Sequence, residues 1–148
     1  MRYLASVAMV VASLSAFPRV GHADVVVVGS TQLPISQISV TNLRDLYTGR
    51  TRQLGALPVT VIDRNDDSPD RGQFISKTLG FSPEEFHTVQ RVVEYIGKPD
   101  NPPKVARTRL QMLEMVANSS NALGYVSKKE FAELSRQWRI KEIRITPE

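Results

Sequence analysis

The sequence predicts a single α/β domain built as a mostly parallel sheet flanked by helices. Three observations lead there. Val25-Val26-Val27-Val28 is β-branched and apolar at every position, as expected of a strand buried on both faces of a helix-covered sheet. Strand-like and helix-like segments then succeed one another along the chain. Finally, 41% hydrophobic and 23% charged residues, with eight Gly and nine Pro in 148, describe an ordinary globular domain rather than a collagenous, low-complexity or polytopic membrane chain.

Each element has its own warrant. After the first strand, Val25–Gly29, a polar stretch containing Pro34 runs to Ser39. Ser39 or Thr41 can then cap a short helix carrying Leu43, Leu46 and Tyr47 on one face, and Gly49 ends it. Arg50 to Pro58 reads as a loop. Val59-Thr60-Val61-Ile62 is a second strand whose carboxyl end delivers Asp63 and Arg64 to the loop Asn65 to Pro69. Ser68-Pro69 opens a helix through Phe74, Ile75 and Leu79 that Gly80 closes. Ser82 caps and Pro83 starts a longer helix to Ile96, with Glu84 and Glu85 at its positive end and Phe86, Val89, Val93 and Ile96 expected inward. Gly97 stops it.

A Pro-rich turn, Lys98 to Pro103, leads to a helix expected over about Val105 to Asn118 with Leu110, Leu113 and Val116 buried. After a turn to Asn121, Leu123-Gly124-Tyr125-Val126 is short and apolar. Ser127 and Glu130 fit a capping box for a helix to Trp138. Alternation in Ile140-Lys141-Glu142-Ile143-Arg144-Ile145 marks a last strand with one wet face. Tyr125 and Trp138 read as packing residues.

Met1 to Ala23 reads as a cleaved export signal: Arg2, then fifteen uncharged and mostly apolar residues from Tyr3 to Phe17, then Gly21-His22-Ala23 before the cut. Fifteen residues fall short of the about 20 needed to span a bilayer. The expected mature chain, residues 24–148, is one domain outside the cytoplasm. Subtracting Arg2 and Arg19 leaves 17 basic against 15 acidic residues, so the formal +4 falls to +2. The basic residues are scattered and not interleaved with aromatics, so nucleic acid is not an expected partner. With no Cys there is no disulfide, thiolate metal site, cysteine nucleophile or lipidated cysteine.

The segment Asp63 to Gly72 is the candidate binding site. In open α/β sheets ligands sit outside the carboxyl ends of strands, where helix starts offer free N–H groups to anions. Arg64 supplies a planar cation suited to phosphate or sulfate, Ser68 a hydroxyl, and Arg71 a second cation. The same residues also fit a structural role, with Ser68 as a cap and Arg64 and Arg71 paired with Asp66 and Asp70. Four aspartates, Asp63, Asp66, Asp67 and Asp70, leave the loop net negative.

Three stretches resemble the phosphate-binding periplasmic proteins of ABC transporters and their small single-lobe relatives, the PBP-like domain proteins. Ile38-Ser-Val-Thr-Asn-Leu-Arg-Asp-Leu-Tyr-Thr-Gly49 resembles the family's helix that ends in an aromatic residue, one residue and a Gly. Val59-Thr-Val-Ile-Asp-Arg-Asn-Asp-Asp-Ser-Pro-Asp70 resembles its strand and anion loop, written His-Arg-Ser-Asp-Gly-Ser-Gly-Thr. Asn121-Ala-Leu-Gly-Tyr-Val126 resembles its late Gly-Ala-Ile-Gly-Tyr-Val.

The resemblance implies a single three-layer lobe of the type II periplasmic-binding-protein kind. It implies a periplasmic protein that binds phosphate or a similar oxyanion and serves an inner-membrane transporter or sensor, with Arg64 as the anion-gripping arginine and Ser68 as the hydroxyl donor. Pro69 stands where the family has Gly and has no N–H to give. Asp70 stands where the family has Thr, and Arg71 follows it as a compensating cation. The full proteins close two lobes on the ligand, whereas 125 residues make roughly one.

The alternative is a ligand-free periplasmic interaction or sensory module that acts through its surface on an envelope membrane partner. No catalytic residue, metal site or cofactor is expected. Asp63, Asn65 and Asp67 mimic a calcium loop, but Ser68 and Phe74 stand where Gly and Glu are required. His87 is expected to be structural, lacking a partner at motif spacing.

Overall fold

The computed structural model describes residues 24–97 and 102–147. The expected export signal, and the first four residues of the expected Lys98–Pro103 turn, lie outside the described residues. In chain order the elements begin with β1 (Val25–Ser30), β2 (Gln37–Ser39), α1 (Val40–Thr48), β3 (Gln53–Leu54), β4 (Leu57–Pro58) and β5 (Thr60–Arg64). Next come α2 (Pro69–Gln73), continued by a π-helical turn at Phe74–Thr78, and α3 (Pro83–Gly97). The rest is β6 (Lys104–Ala106), α4 (Arg109–Ala117), β7 (Ala122–Ser127), α5 (Lys128–Leu134), β8 (Ile140–Glu142) and β9 (Arg144–Thr146).

Five strands form the central sheet in the order β6-β5-β7-β1-β8. β5 runs parallel to β6 and β7, and β1 runs antiparallel to β7 and β8, so four strands point one way and β1 the other. The valine run of β1 is buried towards its end as expected, but both its neighbours run against it.

Helices cover both faces of the sheet. Strand periodicity puts adjacent residues of β7 on opposite sides. A Cβ on Gly124 would stand 2.6 Å from Met112 Sδ and 2.7 Å from Val116 Cγ2, so α4 lies against that face at a distance only glycine permits. Tyr125 turns to the other face, where it stacks on Phe74 with centroids 4.0 Å apart, and Phe74 meets Tyr47 of α1 edge-on at 4.6 Å. Every residue of β7 is buried between these layers. This is a three-layer α/β lobe.

Local signals explain the starts and stops. Ser39 Oγ accepts from Asn42 N–H at the start of α1, and Gly49 ends it at φ 86°. Ser82 and Glu85 close a reciprocal capping box on α3. At α5 only half of the expected box forms: Ser127 Oγ accepts from Glu130 N–H, while the Glu130 carboxylate turns away to Arg109.

Three expectations are corrected. The helix expected from Val105 begins at Arg109, because Thr108 caps it and Lys104–Ala106 pairs as a strand with Ile62–Arg64. Leu110 is therefore on the wet side, 55% exposed, and Met112 joins Leu113 and Val116 inside. On α3 only Phe86 is buried. Val89 and Val93 are half-buried and Ile96 is 79% exposed, because the carboxyl half of this helix has little of the domain beneath it. The single last strand is two, broken at buried Ile143, whose N–H bonds to Val27; β8 joins the central sheet and β9 pairs with β2.

Candidate functional site

Strands β6, β5 and β7 are neighbours and parallel, so their carboxyl ends meet at one edge of the sheet. Such an edge is where open α/β folds place ligands. It brings together Asp63 and Arg64 from β5, Arg107 and Arg109 beyond β6, Glu130 beyond β7, and the start of α2.

Asp63 anchors the arrangement. Its buried carboxylate accepts from the Tyr125 hydroxyl and from Arg64 N–H at 2.8 Å on one oxygen, and from Arg71 Nε at 3.2 Å on the other. Burial first, and the Asp63 charge second, push the Tyr125 phenol far above its ordinary pKa, so it stays a donor at all physiological pH. Tyr47 is shifted the same way, for the same two reasons, and donates to Ile62 C=O at 2.9 Å.

Arg71 belongs to this anchor. Its guanidinium bridges Asp63 and exposed Asp66, the latter at 3.3 Å, and lies over the ring of Phe86 at 5.4 Å. Arg64 is held differently. Its Nε donates to Ala106 C=O at 3.1 Å and its Nη2 to Arg107 C=O at 3.4 Å, which fixes the guanidinium on the end of β6. Nη1 faces the carboxylate of Asp70 at 3.7 Å, too long for a hydrogen bond. On its other side the same Asp70 oxygen is 3.6 Å from Arg109 Nε, and Arg109 is bound firmly to Glu130 at 2.7 Å. Burial raises the Glu130 carboxyl above its usual range, against the opposing pull of Arg109.

Ser68 makes no capping bond, although its backbone is extended as a cap requires. Its hydroxyl oxygen is buried and has no hydrogen-bond partner among the described residues. Its N–H closes a turn on Asn65, and Pro69 supplies no N–H. An open cleft of about 770 Å³ runs over the edge, with Asp63, Arg64, Asp66, Arg71 and Arg107 among its walls.

Of the four residues singled out in the sequence, Arg64 and Arg71 thus line the cleft, whereas Ser68 and Asp70 do not. Arg64 and Asp70 face each other, while Arg71 is committed to Asp63 and Asp66. Sequence reasoning passed over Arg109, Glu130 and the hydroxyl of Tyr125. Reading β6 as a strand would have brought Arg107 and Arg109 to the same edge. Among the described residues, no three metal-ligating side chains come together.

No family model matches the chain, and no curated protein sequence matches it. Solved structures do. A structure described as a phosphate ABC transporter substrate-binding protein of Clostridium perfringens, with bound phosphate, superposes with a TM-score of 0.63 at 17% identity, over 84% of this chain and 46% of that one. The chain shares its fold with the substrate-binding proteins of phosphate ABC transporters. An ABC-type phosphate transport receptor of Vibrio cholerae matches at TM-score 0.61 and 15% identity over 83% of this chain and 46% of the receptor. PstS of Borrelia burgdorferi matches at 0.65 and 14%, over 84% and 47%. The chain spans less than half the length of these proteins.

Proposed function

We propose that this protein is an exported, periplasmic binding protein of the phosphate-transport type. It recognises phosphate or a similar oxyanion where β5 and β6 end, and it serves an inner-membrane transporter. Arg64 is the gripping cation, Ser68 the hydroxyl donor, and Asp70 and Arg71 set the charge around them. The observation that carries the reading is the state of Arg64. Two backbone carbonyls hold its guanidinium at the ligand edge of the sheet, and among the described residues Nη1 is left without a hydrogen bond to a carboxylate. The likeness in fold to phosphate-binding proteins supports it. Binding is expected to be weak, since Asp63, Asp66 and Asp70 already oppose the positive charges and the chain spans less than half of a full binding protein.

Calorimetry with phosphate, sulfate and arsenate tests this. Heat that disappears in Arg64→Ala supports the reading, and silence at millimolar anion refutes it.

One observation favours a second reading, a module without ligand that acts on an envelope partner. The end of α3 exposes Val92, Tyr95 and Ile96, beside an open groove of about 600 Å³ lined by Arg50–Gln53. Among the described residues no helix is long and apolar enough to cross a membrane.

A further inference from the structure

Asp70 is only 5% exposed, yet among the described residues its carboxylate forms no ion pair at hydrogen-bonding distance. Its Oδ2 lies 3.7 Å from Arg64 Nη1 and 3.6 Å from Arg109 Nε. Each cation makes its shorter contacts elsewhere: Arg64 with the carbonyls of Ala106 and Arg107, Arg109 with Glu130. One negatively charged oxygen thus sits between two anchored guanidinium groups at slightly more than hydrogen-bonding distance. Two residues earlier in the chain, the Ser68 hydroxyl is buried without a partner among the described residues. A buried donor left unpaired costs free energy unless something completes it.

We propose that Arg109 is the second cation of the anion seat and that the carboxylate of Asp70 is its built-in occupant. An incoming oxyanion has to displace or share with it. The inference rests on the oxyanion reading above and adds to it a tethered competitor. A tethered carboxylate is present at high effective concentration and also repels a free anion. Both effects act in the same direction. Removing the charge while keeping the shape unmasks the seat.

The test is titration of inorganic phosphate, and separately of sulfate, into the purified wild-type chain, Asp70→Asn and Asp70→Asn/Arg109→Gln at low salt, with circular dichroism to confirm folding. If Asp70→Asn does not fold, Asp70→Ser takes its place. The expected result is at least about tenfold tighter binding in Asp70→Asn, lost again when Arg109 is also changed. Binding to the wild type with no gain in Asp70→Asn overturns the proposal and leaves the oxyanion reading standing. A silent wild type with a binding Asp70→Asn supports the proposal and refutes anion recognition by the native chain. Silence in every variant overturns both. A gain that survives Arg109→Gln overturns the role given to Arg109.

Discussion

The bond from Tyr125 to Asp63 offers the sharpest stability test, because one oxygen atom can be removed with the ring left in place. Tyr125→Phe keeps the stack on Phe74 and the contact with Tyr47, but deprives the buried Asp63 carboxylate of one of three donors. A hydrogen bond to a charged acceptor contributes about 1.5–3 kcal/mol, and its loss here leaves the charge buried. The expected destabilisation is therefore about 2 kcal/mol, a fall of about 8 °C in Tm for a domain of this size. Urea unfolding followed by circular dichroism measures it, with an unchanged m-value showing that only stability has moved. A double-mutant cycle with Asp63→Asn isolates the pair and should return a coupling of at least about 1 kcal/mol. A loss below about 0.5 kcal/mol, or a cycle that is additive, refutes Asp63 as the anchor of the edge.

Gly124→Ala should cost about 1–3 kcal/mol in the same assay, since its methyl group would press on Met112 and the stiff Val116 side chain; a neutral result means that α4 lies farther from β7. Ser39→Ala should cost about 1 kcal/mol through loss of the α1 cap, and no change would show that Asn42 N–H finds water instead. Ile96→Asp should stay within about 0.5 kcal/mol of the wild type, and a large loss would place Ile96 in the core after all. Glu130 titrates above the ordinary glutamate value of 4.5 when folded. Its contribution is thus fully present below that value and is lost as pH rises through the raised one. Glu130→Gln should flatten the pH dependence of stability in that window, and an unchanged slope would contradict it.

Much of the architecture was legible because burial pattern and capping chemistry are local. The valine run of β1, Ser39 with Gly49 around α1, and Ser82-Pro83 at α3 each carry their signal within a few residues. The failures came where tertiary contact decided. Val105 and Ala106 have no strand periodicity of their own and become β6 only by pairing with β5. Ile96 follows the apolar period of α3, but too little of the domain extends beneath it.

The site was readable to the same depth. Asp63 to Asp70 stood out because charged residues follow a strand and precede the Ser68-Pro69 helix start, although Ser68 forms no capping bond there. Which carboxylate each arginine would meet could not be read from spacing alone: Arg71 reaches back eight residues to Asp63, and Asp70 meets Arg109 across 39 residues of chain. Arg64 is turned towards Asp70 by the carbonyls of Ala106 and Arg107 at the end of β6, a strand the sequence did not reveal.

Whether the ligand edge lies at the ends of β5 and β6 can be read from an amide and guanidinium NMR titration with inorganic phosphate. Shifts are expected at Arg64 Nε–H, at Arg109 and at the backbone N–H groups of residues 64–68 and 70–72, abolished in Arg64→Ala. Shifts gathered instead at Arg50–Gln53 and the end of α3, or shifts indifferent to Arg64, would contradict that placement.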